Sequence, residues 1–395
     1  MTGTEKNIID HNLLNRKELN IMANMSNVLG LIFANMHDST ISDLTKLRTM
    51  GSVPFGARYR LIDFTLSNMV NSGINNVGVI TKANYQSLID HIGSGAEWDL
   101  SRKTGGLHIL PPYGHINGGL YRGRLEALAG VLDFIRHNDA EYVLISDTDV
   151  IANIDLKKVV EQHEKTDADI TMIYAKTVCD VERARTKTIL SVNDTGKVYD
   201  ILVRPEISGE HNVSLNMFVM KKEFLQNLIV EKAGKNLYSF EVDVLQHMLG
   251  ELNIYGYKFE GYNAQIDCIK TYFAANMELM NPHVRKELFT GDSPIYTKVR
   301  DEAPAKYGLD SECKNSIIAD GCIIEGKVEN CVLFRGVKVG KNAIVKNSIL
   351  MQDTIVGEKC EMNYVITDKN VLIGNYRSIG GTETYPIFVG KGASV

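Results

Sequence analysis

The sequence predicts an α/β domain with a mostly parallel sheet, followed by a parallel β-helix built from hexapeptide repeats. Two observations lead to this prediction. Up to about residue 285, buried apolar runs alternate with amphipathic helices, the pattern of a sheet covered by helices. From residue 313 onward helical periodicity is lost, and short strand-like segments recur between Gly, Asp, Asn and Lys. The length of 395 residues suits two or three domains.

Four segments are expected along the chain. Residues 1–24 are polar and charged, and we expect a flexible N-terminal extension without the apolar core of a signal peptide. Residues 25–285 are predicted to form the α/β domain, residues 286–312 a linker, and residues 313–395 the β-helix.

The α/β domain begins with residues 28–34, an apolar run rich in β-branched and aromatic side chains. Such a run fits a strand buried on both faces of a parallel sheet. Further along, Leu125, Leu128, Leu132 and Ile135 repeat at helical spacing. The same criteria predict strands at 28–34, 76–81, 141–146 and 169–174, and helices at 62–72, 85–92, 123–135 and 156–165. Ligand groups are expected at the carboxyl ends of the strands.

The C-terminal repeats follow a six-residue rhythm, in which each aliphatic residue points into a stacked column. The clearest matches lie at 316–324, 337–345, 354–360 and 371–374. We expect the coil near residues 332–334, or the end near 371–373, to take part in subunit contacts. No histidine follows His283, so histidine-based acyl transfer is disfavoured here and a scaffold or assembly role is preferred.

Composition excludes some classes of function. The 43 Lys and Arg residues are outnumbered by 48 Asp and Glu residues, which gives a net charge of −5 and no bulk attraction to nucleic acid. No run of about 18 apolar residues occurs, so no membrane span is expected. The six cysteines form no C-x-x-C pair, which suits reduced thiols in a cytoplasmic protein.

One segment carries a specific resemblance. Residues 52–68, SVPFGARYRLIDFTLSN, resemble the V-P-F-G-G-K-Y-R-L-I-D-F-x-L-S-N signature of bacterial glucose-1-phosphate adenylyltransferases, also called ADP-glucose pyrophosphorylases. The resemblance covers about residues 28–374. It implies a Rossmann-like nucleotidyltransferase domain joined to a left-handed β-helix, in a tetramer regulated by metabolite effectors. It also implies the conversion of ATP and glucose 1-phosphate to ADP-glucose and diphosphate, with Mg²⁺.

The phosphate-binding loop departs from that family. Its G-G-x-G-T-R-L motif corresponds here to residues 35–41, where the glycine positions hold Asn35, Met36 and Asp38 and the arginine position holds Thr40. The lysine of the family's R-A-K-P motif falls on Met50. These changes remove backbone access and positive charge from the place where phosphates bind.

The metal ligands are also altered. The resemblance places Asp149 at the family's first metal-binding aspartate, with Asp147 as a second carboxylate nearby. The family's other aspartate corresponds to Gln265, a poor ligand for Mg²⁺. Asp267 is an alternative ligand, on the same strand face as Gln265. Magnesium is therefore a doubtful cofactor, and no tightly bound cofactor is expected.

The sugar-phosphate site keeps some residues and loses others. Arg204 replaces the family lysine, Val203 replaces the adjacent glutamate, and Asn216 stands at a glycine position. Asp243 matches a family aspartate, and both a binding role and a structural cap remain open.

Two further segments match family sites. Tyr121 and Gly123 match the family's W-Y-x-G-T, where Arg124 takes the threonine position and its bulk could block the pocket. Arg58 and Arg60 are candidates for contacts with a phosphorylated effector, the alternative being solvated or structural pairing.

Together the departures resemble the GlgD-type branch of the family, the catalytically degenerate paralogue that accompanies the GlgC-type catalytic subunit. The resemblance implies a mainly regulatory chain of glycogen biosynthesis, with little or no activity alone, in a heterotetramer; a homo-oligomer is left open. Whether the chain is itself an enzyme is left undecided. The alternatives are an active sugar-phosphate nucleotidyltransferase with a divergent site and a sugar-phosphate sensor.

Overall fold

The computed structural model describes residues 24–112 and 121–395. The predicted extension at 1–24 therefore lies outside the described residues except for Asn24. Within the described ranges, no helix is long and apolar enough to cross a membrane.

A nine-stranded mixed sheet forms the centre of the N-terminal domain. The strands of this domain are β1 (Val28–Phe33), β2 (Pro54–Phe55), β3 (Tyr59–Arg60), β4 (Asn76–Ile80), β5 (Gly106–Leu110), β6 (Tyr142–Asp147), β7 (Val150–Ala152), β8 (Ile170–Cys179), β9 (Thr188–Val192), β10 (Val198–Val203), β11 (Gly209–Lys221), β12 (Ile254–Lys258) and β13 (Asn263–Gln265). Seven of its strands follow the order β10-β9-β11-β6-β1-β4-β5. Strand β8 pairs with β11 and with β12, and β8 and β12 complete the sheet. The β6-β1-β4-β5 segment is parallel throughout, as its continuous apolar runs predict.

Helices cover both faces of the sheet. They are α1 (Ser42–Thr45), α2 (Leu61–Asn71), α3 (Gln86–Ile92), α4 (Arg124–Gly130), α5 (Leu132–Arg136), α6 (Leu156–Thr166), α7 (Val181–Ala184), α8 (Lys222–Gly234), α9 (Ile269–Glu278) and α10 (Pro282–Leu288). A six-residue π-helix, Glu241–Gln246, follows α8. Two apolar cores, one on each face, hold the sheet between these layers.

The predicted elements are confirmed with two differences. The helix expected at 123–135 is two helices, because Val131 has φ −114° and ψ 15° and breaks the helical path. The strand expected at 169–174 continues to Cys179 because it pairs along most of the long antiparallel strand β11.

The C-terminal domain is a hexapeptide-repeat β-helix of three parallel five-stranded sheets. Its strands are β14 (Lys306–Tyr307), β15 (Glu312–Lys314), β16 (Ile317–Ile318), β17 (Ile323–Ile324), β18 (Lys327–Glu329), β19 (Val332–Leu333), β20 (Lys338–Val339), β21 (Ile344–Lys346), β22 (Ile349–Leu350), β23 (Ile355–Val356), β24 (Glu361–Asn363), β25 (Val365–Thr367), β26 (Leu372–Ile373), β27 (Ser378–Gly380) and β28 (Ile387–Val389). Asparagines mark one corner, where Asn315, Asn330 and Asn347 adopt positive φ and hydrogen-bond from coil to coil.

The boundaries near the linker differ from the prediction. Helix α10 runs past residue 285, and the β-helix begins at Lys306 rather than at 313. The reason is that Lys306 and Tyr307 pair in parallel with Ile323 and Ile324 and so complete the first coil.

The two domains share an apolar core. Val332, Phe334 and Met351 of the β-helix belong to one buried cluster with Phe55 and Phe273 of the N-terminal domain. Val332, Leu333 and Phe334 are fully buried within their own chain, whereas Leu372 at the alternative end is 46% exposed. The expected subunit contacts of the β-helix stay a prediction.

An ion pair crosses the same boundary. The Arg48 Nη2 atom donates to both carboxylate oxygens of Asp368, at 2.7 and 2.9 Å, and both side chains are buried. This charge-assisted pair fixes the β-helix against the segment that follows β1.

Candidate functional site

The loop that follows β1 is held together by its own side chains. The Asp38 carboxylate accepts hydrogen bonds from Asn35 Nδ2 at 2.6 Å and from the Met50 backbone N–H at 2.7 Å. Asn35 also accepts from the Lys82 backbone N–H, and Thr40 donates to the His37 carbonyl. A backbone donor that an anion could use is therefore occupied by a carboxylate of the chain itself.

Burial changes the pKa of the Asp38 carboxyl in this loop. Desolvation raises the pKa of Asp38 to about 6, although the hydrogen bonds from Asn35 and Met50 oppose the rise. Met50 is 1% exposed and packs in the core shared with the β-helix. The position where the family places a phosphate-binding lysine is thus an apolar packing position here.

Two carboxylates stand at the carboxyl end of β6. Asp147 ends the strand and is fully buried, and Asp149 follows two residues later and is 2% exposed. The Asp147 carboxylate accepts from Arg124 Nη1 at 2.5 Å and Nη2 at 2.9 Å, and from His37 Nε2 at 2.7 Å. Burial alone would raise the pKa of Asp147, but Arg124 and His37 hold it at about 2.

Arg124 is a buried arginine beside these carboxylates. It is 1% exposed, and its guanidinium also donates to Glu241 Oε1 from Nε and Nη2 at 3.1 and 3.0 Å. The rings of Phe33 and Phe218 lie 4.8 and 5.5 Å from its central carbon, within the range of cation–π contacts. The cation is therefore fixed by two carboxylates and two rings.

Asp149 is surrounded by nitrogen donors. Its Oδ2 atom accepts from Gln265 Nε2 at 2.8 Å and Asn216 Nδ2 at 3.1 Å, and His37 Nε2 lies 3.7 Å away. Asn216 has φ +56°, a left-handed conformation that suits the glycine position it occupies in the family motif. Among the described residues, no hydrogen-bond donor reaches the buried Oδ1 atom.

His37 links the two carboxylates. Burial alone would lower its pKa, but Asp149 and Asp147 outweigh that effect and raise the pKa to about 9. His37 therefore carries a positive charge at neutral pH, and it joins Arg124 as a second internal cation beside the carboxylates.

Of the residues predicted for the sugar-phosphate site, Asn216 donates to Asp149, whereas Arg204, Val203 and Asp243 lie elsewhere. Arg204 is exposed after β10 with φ +54°, and Val203 packs at the edge of the sheet core. Asp243 accepts from the Tyr238 and Ser239 backbone N–H groups, so the structure shows the capping role that the sequence left open.

Asp267 belongs to a separate ion pair. Its carboxylate lies 2.6 Å from the Nζ atom of Lys187, which is 3% exposed, and 3.6 Å from Arg183 Nε. These contacts hold the pKa of Asp267 below its usual range despite burial. The alternative in which Asp267 supplies a metal ligand beside Gln265 is therefore wrong, because this carboxylate is engaged elsewhere.

Tyr121 and Gly123 lie close to the site. The Tyr121 ring lies 5.2 Å from Lys82 Nζ. A Cβ atom at Gly123 would stand 2.3 Å from the Tyr238 carbonyl oxygen, so only glycine permits this approach of the two backbones. Gly123 thereby places Arg124 at the first turn of α4.

The predicted effector residues lie in a different place, against the β-helix. Arg58 is exposed, whereas Arg60 is 8% exposed and donates from Nη1 to the Ser87 carbonyl and hydroxyl. Burial, together with the charges of Arg60 and Arg48, lowers the pKa of Lys369 to about 7. Arg48, Arg60 and Lys369 form a basic cluster at the boundary of the two domains.

Sequence reasoning missed several partners in these networks. His37 sits at a variable position of the family loop, and Glu241, Lys187 and Lys369 lie far along the chain from the groups they face. The one available signal was Arg124, a charged and bulky residue where the family has threonine.

The residues present do not fit Mg²⁺, which prefers six oxygen ligands in an octahedron. Asp147 is engaged by a guanidinium and an imidazole, and Asp149 faces two amide N–H groups rather than oxygens. No step of a reaction is assigned to a metal in this chain.

The fold and the site at the ends of β1 and β6 define a nucleotidyltransferase-type chain with a hexapeptide β-helix. The nucleotidyl transferase family model matches residues 36–281, and that of the GlmU-like C-terminal hexapeptide matches residues 303–385. The chain belongs to the family of the glycogen biosynthesis protein GlgD and glucose-1-phosphate adenylyltransferase.

Two relatives illustrate the relationship. The chain is 35% identical over 366 residues to the glycogen biosynthesis protein GlgD of Bacillus subtilis (strain 168), which covers 92% of this chain and 96% of that protein. It is 36% identical over 334 residues to the glucose-1-phosphate adenylyltransferase of Clostridium perfringens (strain 13 / Type A), covering 83% of this chain and 84% of that enzyme.

Proposed function

We propose that this chain is a regulatory, GlgD-type subunit of a glucose-1-phosphate adenylyltransferase in cytoplasmic glycogen biosynthesis, with little or no activity alone. The observation that carries the proposal is that both halves of the reaction site are closed by the chain's own side chains. The Asp38 carboxylate of the phosphate loop occupies the Met50 backbone N–H, and Arg124 occupies the Asp147 carboxylate.

The chemistry of adenylyl transfer explains why this closure matters. Catalysis of such transfers depends on positive charge and backbone donors arranged around the phosphates. Here Asp38 adds a carboxylate to the loop, and the family's loop arginine and lysine correspond to Thr40 and Met50. A triphosphate would have to displace several buried hydrogen bonds before it could bind.

A catalytic partner is required if the chain is to serve glycogen synthesis. The proposed partner is a GlgC-type catalytic homologue, and the proposed assembly is a heterotetramer. The partner would convert ATP and glucose 1-phosphate to ADP-glucose and diphosphate, and this chain would change its activity or its response to effectors through subunit packing.

The proposed effector is a phosphorylated metabolite bound at the basic cluster of Arg48, Arg60 and Lys369. The Arg48 Nη1 atom is buried, and none of the described residues accepts a hydrogen bond from it. Burial lowers the pKa of Lys369 to about 7 with the help of its cationic neighbours, and an anion placed between these cations would relieve their repulsion.

The decisive experiment compares ADP-glucose formation by three preparations: this chain alone, the GlgC-type homologue of the same organism alone, and the two co-expressed and co-purified. We expect almost no product from this chain alone and a changed rate or effector response per catalytic subunit in the mixture. Turnover by this chain comparable to that of the homologue would instead favour the active-enzyme alternative. Unchanged kinetics in the mixture, with sugar phosphate bound by this chain alone, would favour the sensor.

A further inference from the structure

The cation that balances the carboxylates of the site is part of the chain. Asp147 and Asp149 are both almost completely buried, and charges removed from water in this way need a partner. In this structure the partners are the Arg124 guanidinium and the His37 imidazole, together with the Gln265 and Asn216 amides.

The Arg124 guanidinium occupies the position that a bound cation would take beside Asp147. Its guanidinium makes two parallel contacts to Asp147, two contacts to Glu241, and lies between two aromatic rings. It is 1% exposed, so it cannot swing into solvent without opening the site.

We infer that Arg124 permanently takes the place of a divalent cation beside Asp147 and Asp149, and that this side chain is what keeps the site free of metal. A divalent ion that approached Asp147 would meet a fixed guanidinium within hydrogen-bond distance of the same oxygens. Like charges at such separations in a buried site repel strongly. The Asp147 carboxylate is therefore retained as an anchor for Arg124 rather than as a metal ligand.

A consequence concerns the chain without this guanidinium. The His37 imidazole and the two carboxylates present ligand atoms that all lie within 4.8 Å of one another. One imidazole nitrogen and two carboxylate oxygens suit Mn²⁺ and neighbouring transition ions better than Mg²⁺. Removal of Arg124 should therefore create a Mn²⁺ site that the natural chain does not offer.

The test uses the full chain and five variants, one of which is the single substitution Asp149→Asn. Arg124→Thr removes the cation, Arg124→Lys keeps a charge without the bidentate fork, and Arg124→Thr combined with Asp149→Asn removes a ligand of the new site. Arg122→Thr is the matched control, because Arg122 is an exposed arginine two residues away. Bound Mn²⁺ is counted by electron paramagnetic resonance, and the melting temperature is measured in EDTA and in MnCl₂.

We expect no specific Mn²⁺ binding and no metal-dependent melting temperature in the natural chain or in Arg122→Thr. Arg124→Thr should melt at a lower temperature in EDTA, bind one Mn²⁺, and recover stability when the metal is added. The double variant should lose the bound Mn²⁺.

Two results would overturn the inference. One is Mn²⁺ binding to the natural chain that Asp149→Asn abolishes, which can be measured even if Arg124→Thr does not fold. The other is a folded Arg124→Thr that binds no metal. This inference adds a structural cause to the proposed lack of activity, and its readouts are metal binding and unfolding. It can therefore fail while the regulatory proposal holds, and the reverse is equally possible.

Discussion

Sulfate binding at the basic cluster should depend steeply on pH through Lys369. The groups that face this amine are Arg60, Arg48, Lys391 and Asp368, and Lys369 in turn influences the buried His91. The pKa of Lys369 falls from its ordinary value of 10.5 to about 7. The amine is therefore cationic below pH 7 and largely neutral above pH 8, and an anion should bind more tightly as the pH falls.

The magnitude follows from the protonated fraction of the amine. If sulfate binds only when Lys369 is charged, the affinity should fall by as much as about 30-fold between pH 6 and pH 8.5, roughly 2 kcal/mol. Sulfate is the appropriate probe because it stays a dianion over this range, whereas phosphate itself titrates. Isothermal titration calorimetry measures the affinity, and proton uptake on binding gives a second readout through buffers of different ionisation enthalpy.

The controls are two methionine variants. Lys369→Met should abolish most of the pH dependence, and Lys338→Met, which removes an exposed lysine on β20, should leave it unchanged. A pH-independent affinity in the natural chain would refute the reasoning. A pH slope that survives in Lys369→Met would refute it as well, because another group would then have to supply the proton.

Three further predictions concern stability and assembly. Arg48→Met should leave the buried Asp368 carboxylate unpaired and cost about 3–5 kcal/mol of unfolding free energy in urea titrations. The double variant Arg48→Met with Asp368→Leu should cost less. A loss below about 1 kcal/mol in the single variant would contradict a buried ion pair. Gly123→Ala should destabilise by about 1–3 kcal/mol, measured in the same way, because its Cβ would clash with the Tyr238 carbonyl; an unchanged midpoint would show that the backbone relaxes there. Removal of residues 303–395 should give aggregated protein on size-exclusion chromatography, because it uncovers the apolar face around Phe55 and Phe273. A monodisperse product would count against the shared core.

The sequence was sufficient to predict the fold class, four strands and four helical segments of the N-terminal domain, and the β-helix. Periodicity reports local burial, so it located β1 and β6 accurately. It could not show that helix 123–135 breaks at Val131, since that break depends on tertiary packing and not on a Pro or Gly signal. The first coil at Lys306 was missed because only its pairing with Ile323 reveals it.

The candidate site was predictable in outline and not in its contacts. The motif indicated that Asn35, Asp38 and Gln265 replace binding residues. It could not indicate that these replacements bond to groups already in the site, because Asp38 reaches Met50 and Gln265 reaches Asp149 only in the folded chain. Side-chain networks between distant segments have no signature in a single sequence.

The shared core between the two domains also has a bearing on how the chain folds during synthesis. Each coil of the β-helix pairs with the next one along the chain, as Lys306 does with Ile323, so this domain can form from local contacts. The Arg48–Asp368 pair joins residues 320 positions apart and can form only when nearly the whole chain has left the ribosome. Until then the apolar surface around Phe55 stays uncovered. The nascent N-terminal domain is therefore the folding intermediate that most needs chaperone protection.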